Sequence, residues 1–186
     1  MMKEKRVANR YAKALFDLAV EKNILEKIKA DSELIYNVCR QNHEFILMLR
    51  SPIIKESKKL LILKNVFEKS INEMSFKFLV IITRNRREGL IMDISEQFIE
   101  IYKKFKNILS ANLTTAVEVD KEIRESIVRL LKKHTESKIE LSEDINEELM
   151  GGFVVSFDNK QYDTSILRQI KNLRKEFDIN LYEKGF

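Results

Sequence analysis

Apolar residues recur at helical spacing through the first 105 residues and at strand spacing soon after, so the pattern itself divides the chain. Residues 4–22 predict a first helix, in which Val7, Ala8, Tyr11, Ala12, Ala14, Leu15, Phe16, Leu18, Ala19 and Val20 are apolar. At about 100° per residue these cover roughly two-thirds of the circumference. Packing on one core needs a stripe of only about 100°. The surplus width predicts contacts on two sides, either in the centre of a bundle or against a partner.

Five more helices follow at short intervals. Residues 24–40 place Ile24, Ile28, Leu34, Ile35 and Val38 on one inward face. A short helix around Glu44–Leu49 ends at Ser51-Pro52, because the residue before proline is pushed out of helical geometry. Residues 55–69 carry Leu60, Leu61, Leu63, Val66 and Phe67. Residues 72–86 carry Phe76, Phe78, Leu79, Ile81 and Ile82, end in the cations Arg84, Arg86 and Arg87, and are broken by Gly89. Residues 90–106 repeat Ile91, Ile94, Phe98, Ile101, Tyr102 and Phe105 at three- and four-residue steps. The expectation is a six-helix bundle over residues 1–106.

After Asn107 the period shortens. Leu113, Thr115, Val117 and Val119 alternate with Asn112, Thr114, Ala116 and Glu118, which predicts a half-buried strand. Asp120 is placed to cap a helix over residues 121–134, with Ile123, Ile127, Leu130 and Leu131 inward. Strands are predicted at Lys138–Leu141 and Phe153–Phe157, with a tight turn at Asp158-Asn159-Lys160. Asp163 is the expected cap of a last helix, residues 164–177, whose inward set is Ile166, Leu167, Ile170, Leu173 and Phe177. Residues 107–186 thus read as a small α+β domain of order β-α-β-β-α.

Charge separates the same two halves. Residues 1–106 hold 22 Lys and Arg against 14 Asp and Glu, a net +8; residues 107–186 hold 12 against 15, a net −3. Different partners for the two domains are the natural expectation. The single cysteine, Cys39, excludes an internal disulfide, suits a reducing compartment and falls on an apolar helical face. No apolar run is longer than Phe78–Ile82, far too short to span a bilayer, and no secretory leader is visible, so a soluble protein without direct membrane insertion is expected.

Candidate chemistry adds little. No glycine-rich phosphate loop is present, His43 and His134 stand alone in sequence, and no nucleophile, base and oxyanion donors gather. The scattered carboxylates of Asp158–Asp163 lack an EF-hand's ligands and glycine. Neither catalysis, nor a metal, nor a cofactor is expected. The basic cluster Arg84-Asn85-Arg86-Arg87 leaves a basic RNA-binding or ribosome-associated helical protein as an alternative, but Phe76, Phe78, Phe98 and Phe105 sit at core spacing, not interleaved with cations as a stacking surface.

Several segments carry a family resemblance, in family order over nearly the whole chain. They are Val7-Ala8-Asn9-Arg10-Tyr11-Ala12-Lys13-Ala14-Leu15-Phe16, Ser51-Pro52-Ile53, Val66-Phe67, Asn85-Arg86-Arg87 and Ile94-Ser95-Glu96-Gln97-Phe98. The most specific is Leu149-Met150-Gly151-Gly152-Phe153-Val154-Val155, followed by Asp163, Ser165 and Ile166. Together they resemble the delta subunit family of F-type ATP synthases, relatives of the mitochondrial oligomycin-sensitivity-conferring protein. Two departures stand out: the turn after the third strand and the position after Asp163 commonly hold glycine in the family, whereas here they hold Phe157-Asp158-Asn159 and Thr164.

The resemblance implies a non-catalytic stator subunit that resists rotor torque during ATP synthesis. It implies one copy in a hetero-oligomeric complex, held peripherally at the cytoplasmic face of the cell membrane. The implied partners are the N-terminal helix of an alpha subunit, taken up between the first and fifth helices, and the C-terminal end of the b subunit, met by the second domain. The expected groove is Tyr11, Ala14, Leu15 and Leu18 on the first helix, faced by Phe78, Ile81 and Ile82 on the fifth. The alternative for each position is ordinary bundle core.

Overall fold

The computed structural model describes residues 2–117, 119–132, 137–157 and 160–179. Two compact units meet in sequence between Lys106 and Asn107.

The first unit is helical: α1 (Met2–Glu21), α2 (Leu25–Gln41), α3 (His43–Arg50), α4 (Glu56–Phe67), α5 (Glu73–Arg84) and α6 (Ile91–Phe105), with a 3-10 turn at Glu88–Leu90. Helix α6 packs on both α1 and α2. Its Ile91, Ile94, Phe98 and Tyr102 are buried, and Phe98 meets Phe16 of α1 at 6.0 Å between ring centroids. Ala8, Ala12 and Ala19 are fully buried on α1, and their small side chains let α6 approach closely. Cys39 is also fully buried, and burial pushes its thiol up to about 11.

Polar interactions inside this unit position the ends of α5. Asp31, buried on α2, accepts bonds from the Asn72 backbone N–H (2.9 Å) and the Ser75 hydroxyl, while the Asn72 side chain accepts from Met74 N–H at 2.9 Å. A carboxylate and a cap thus satisfy donors left open at the start of α5. At the other end Arg87 N–H bonds to Ile82 O and Arg86 N–H to Thr83 O, with Arg86 left-handed at φ 55°. This is a Schellman termination. Helix α5 therefore stops at Asn85-Arg86, and Gly89, expected to be the breaker, lies inside the 3-10 turn.

Several apolar residues of this unit point outward. Leu61, Val66, Ile81 and Phe105 are exposed, since the helical period gives a face its width but not its cover.

The second unit holds β1 (Ile108–Thr115), α7 (Lys121–Lys132), β2 (Lys138–Ile145), β3 (Phe153–Phe157), β4 (Lys160–Asp163) and α8 (Ile166–Ile179). The sheet order is β2-β1-β3-β4, with β1 parallel to β2 across α7 and antiparallel to β3, and β3 antiparallel to β4. Ala111 and Leu113 of β1 pair with Phe157 and Val155 of β3, and all four pack against Ile127 and Leu131 of α7.

The α+β class holds, but four details differ from expectation. Strand β1 begins earlier than expected, and Val117, past its end, is exposed. Residues 160–163 are a fourth strand; Asp158 and Asn159, where the turn was expected, lie outside the described residues. The α8 cap is Ser165, whose Oγ accepts from Arg168 N–H at 3.2 Å; Asp163 ends β4 and accepts from Ser165 N–H at 2.9 Å. These bonds, from the Ser165 hydroxyl and backbone, hold the Asp163 carboxyl below its ordinary value.

The fourth difference is the largest. Ile166, Ile170, Leu173 and Phe177, expected inward on α8, are exposed, as are Ile123 and Leu130 of α7. Only Ser165 and, in part, Leu167 are covered near the start of α8. The Gly-Gly step explains how α8 is seated. Gly152 has φ 75°, and a Cβ there would stand 2.5 Å from Thr164 O, so the strand entrance and the helix start touch backbone to backbone.

Candidate functional site

The expected groove residues fall into two groups. Around α1, Val7, Tyr11, Ala14 and Leu18 follow one line at i, i+4, i+7, i+11, beside the buried line of Ala8, Ala12, Leu15 and Ala19. Around α5, Met74, Phe78 and Ile81 form a line beside buried Ser75, Leu79 and Ile82. Leu18 keeps 43% of its surface exposed and Ile81 52%, and Ala14 is exposed. Leu15 and Ile82 are different, at 5% and 1%.

Leu15 and Ile82 are therefore core residues, a correction to their expected place on the binding surface. Each lies only about 40° from its stripe, at Tyr11 or Phe78, but on the side turned toward the bundle interior. With Phe78 they line one interior pocket beneath the two helices. Val7 and Met74, not expected, extend the two stripes by one turn; their four-residue spacing from Tyr11 and Phe78 was the available signal.

Tyr11 and Phe78 join the stripes. Their rings meet edge-on at 6.3 Å. Arg87 then reaches back from beyond α5: its Nη1 donates to Tyr11 Oη at 2.8 Å, and its guanidinium stands 5.3 Å from the ring centroid. The Schellman turn sets where Arg87 leaves the helix. The 3-10 turn behind it is anchored by Lys59, whose Nζ donates to Leu49 O at 2.7 Å and lies 2.6 Å from Glu88 Oε1.

What results is two half-exposed apolar stripes bridged by one aromatic contact, with an arginine at one end. Such a surface can take the apolar face of another helix. Among the described residues it gathers no group that could hold a metal ion. His43, at the start of α3, is exposed; His134 lies outside the described residues.

Comparison with known proteins decides the relationship. Residues 7–177 match the family model described as ATP synthase delta (OSCP) subunit. The chain belongs to that family. Among curated relatives, the ATP synthase subunit delta of Cytophaga hutchinsonii is 33% identical over 95% of this chain and 96% of its own. That of Christiangramia forsetii is 34% identical over 97% and 98%. A chain of the Toxoplasma gondii mitochondrial ATP synthase hexamer shares the fold, with a TM-score of 0.71 at 21% identity over 91% of this chain and 96% of that one.

As a delta-family member the chain is a non-catalytic stator subunit of the F-type ATP synthase, part of the peripheral stalk. The nucleic-acid alternative finds no support in these matches. Among the described residues no helix is long and apolar enough to cross a membrane.

Proposed function

We propose that this delta-family subunit joins the catalytic head to the peripheral stalk by holding one helix at each of its two units. The first unit takes the N-terminal helix of an alpha subunit along the α1 and α5 stripes. The second meets the C-terminal end of the b subunit. One copy serves each complex, at the cytoplasmic face of the cell membrane, and keeps the head from turning with the rotor.

The observation that carries the groove is the exposure of Leu18 and Ile81 on either side of the Tyr11–Phe78 contact. Covering the exposed half of each side chain contributes roughly 1 kcal/mol. Two such anchors with Tyr11 and Phe78 suffice for a helix-in-groove site. Support for the second contact is the uncovered line Ile166, Ile170, Leu173 and Phe177 on α8, alongside the family relationship.

Calorimetry of the full chain with its cognate alpha N-terminal peptide tests the groove. Saturable binding that Leu18→Asp abolishes is expected; no binding sinks the assignment. Co-purification with the b subunit, lost in Leu173→Asp/Phe177→Asp, tests the second contact.

A further inference from the structure

We propose that the α1–α5 groove selects a helix whose polar flanks carry carboxylates. This deepens the groove reading above and rests on it.

The charges beside the two stripes are mostly of one sign. On α1, Arg6, Arg10 and Lys13 are exposed on one flank, Arg10 about a quarter-turn and Arg6 and Lys13 about a third of a turn from the Tyr11–Ala14–Leu18 line. On α5, Lys77 and Arg84 stand in the same relation to Phe78 and Ile81. Arg87 closes one end over Tyr11. The acids on these faces are fewer: Asp17 and Glu21 are exposed on the same α1 flank, and Glu73 pairs with Lys77 at 2.6 Å, so those two charges cancel. None of Arg6, Arg10, Lys13 and Arg84 is held in an ion pair by another described residue.

Arg6, Arg10 and Lys13 take no part in the polar interior of the unit, which is organised by Asp31 and by the Lys59–Glu88 pair. Their effect is a positive field over an apolar trough. Like charges that close repel one another and favour an anionic neighbour. Arg87 uses one N–H on Tyr11, and a guanidinium has five donors, so it can also take a carboxylate of the docked helix. Apolar anchors then supply affinity, while the flanking charges set orientation and reject cationic helices.

The test uses the full chain and two synthetic helical peptides of about 20 residues with one shared apolar face. One carries Glu at the flanking positions and the other Lys. At low salt the Glu peptide should bind about tenfold tighter, the sum of a few exposed pairs. At about 1 M salt, where the Debye length is about 3 Å, the preference should fall to about twofold or less. Arg10→Glu/Arg84→Glu should reverse the ranking with only a small change in the thermal melt, since Arg84 closes the last turn of α5.

Equal affinities, a Lys preference, or a Glu preference indifferent to salt overturns the inference, while loss of binding in Leu18→Asp still upholds the groove. If neither peptide binds, or if Leu18→Asp changes nothing, the groove reading fails and takes this inference with it.

Discussion

Lys59 and Glu88 form an ion pair at 2.6 Å with both side chains almost out of solvent, 3% and 13% exposed. The same ammonium donates to Leu49 O, so α3, α4 and the turn that launches Arg87 share one cation. Removing one member of a buried pair strands the other charge, at a cost of about 3–5 kcal/mol. Glu88→Ala should lower stability by that order in urea unfolding. Lys59→Met combined with Glu88→Leu should cost much less. Additive losses in the double variant would mean the two charges are not coupled.

Leu15 and Leu18 are three residues apart and should behave oppositely. Leu15→Ala and Ile82→Ala open the core and should cost about 2–5 kcal/mol, with lost peptide binding only a consequence of unfolding. Leu18→Asp and Ile81→Asp should lower the melt much less than the core variants and remove binding of the alpha peptide. Tyr11→Ala is intermediate: it loses the Phe78 and Arg87 contacts and should weaken binding with a modest change in stability. Equal melts for Leu15→Ala and Leu18→Asp would contradict the burial pattern.

Gly152 should tolerate no side chain. A Cβ would meet Thr164 O at 2.5 Å and Ser165 Cα at 3.0 Å, at a φ of 75°. Both are backbone atoms, so relief requires moving the start of α8. Gly152→Ala should destabilise the second unit by about 2 kcal/mol or more and raise hydrogen exchange in α8. Gly151→Ala, also at positive φ, meets the flexible end of Ile166 at 2.7 Å and should cost less. The reverse order would disprove this account of the pair.

Tyr102 and Glu26 give the first unit a response at high pH. Tyr102 Oη donates to Glu26 Oε2 at 2.7 Å, Lys106 lies 2.8 Å from Glu26 Oε1, and Lys29 and Lys106 both stand near the ring. The hydrogen bond to Glu26, with burial, pushes the phenol up to about 12. A raised folded value favours the protonated form. Its contribution is full below the ordinary tyrosine value of about 10 and is lost as pH rises toward 12.

Glu26 works in the opposite sense. Bonds from Lys106 and Tyr102 lower it, so its contribution is present above the ordinary glutamate value and fades as pH falls through the lowered one. Ultraviolet titration should show one of the five tyrosines ionising late, and Glu26→Gln should bring it earlier. No change in that variant would exclude the Glu26 bond as the cause.

Residue pattern alone carried the change of period after Asn107, the six α-helices of the first unit, and the inward phase of β1 at Leu113 and Thr115. Those features follow from local geometry, 3.6 residues per turn against 2, which repeats along the sequence. The Gly151-Gly152 stretch was also legible as a backbone device, because a strand and not a phosphate-binding helix follows it.

What only tertiary structure decided is which edge of an apolar face is covered. Leu15 and Ile82 lie beside Tyr11 and Phe78 on their helical wheels, yet packing with α6 and the rest of the bundle makes them core and leaves Leu18 and Ile81 outside. The same limit governs α8: its period predicted an inward Ile166–Ile170–Leu173–Phe177 line, but a period records that a face is apolar, not what stands opposite. Arg86 in a left-handed turn and Arg87 folded onto Tyr11, 76 residues away in sequence, leave no local signature, since their partners are fixed only when α5 is seated against α1.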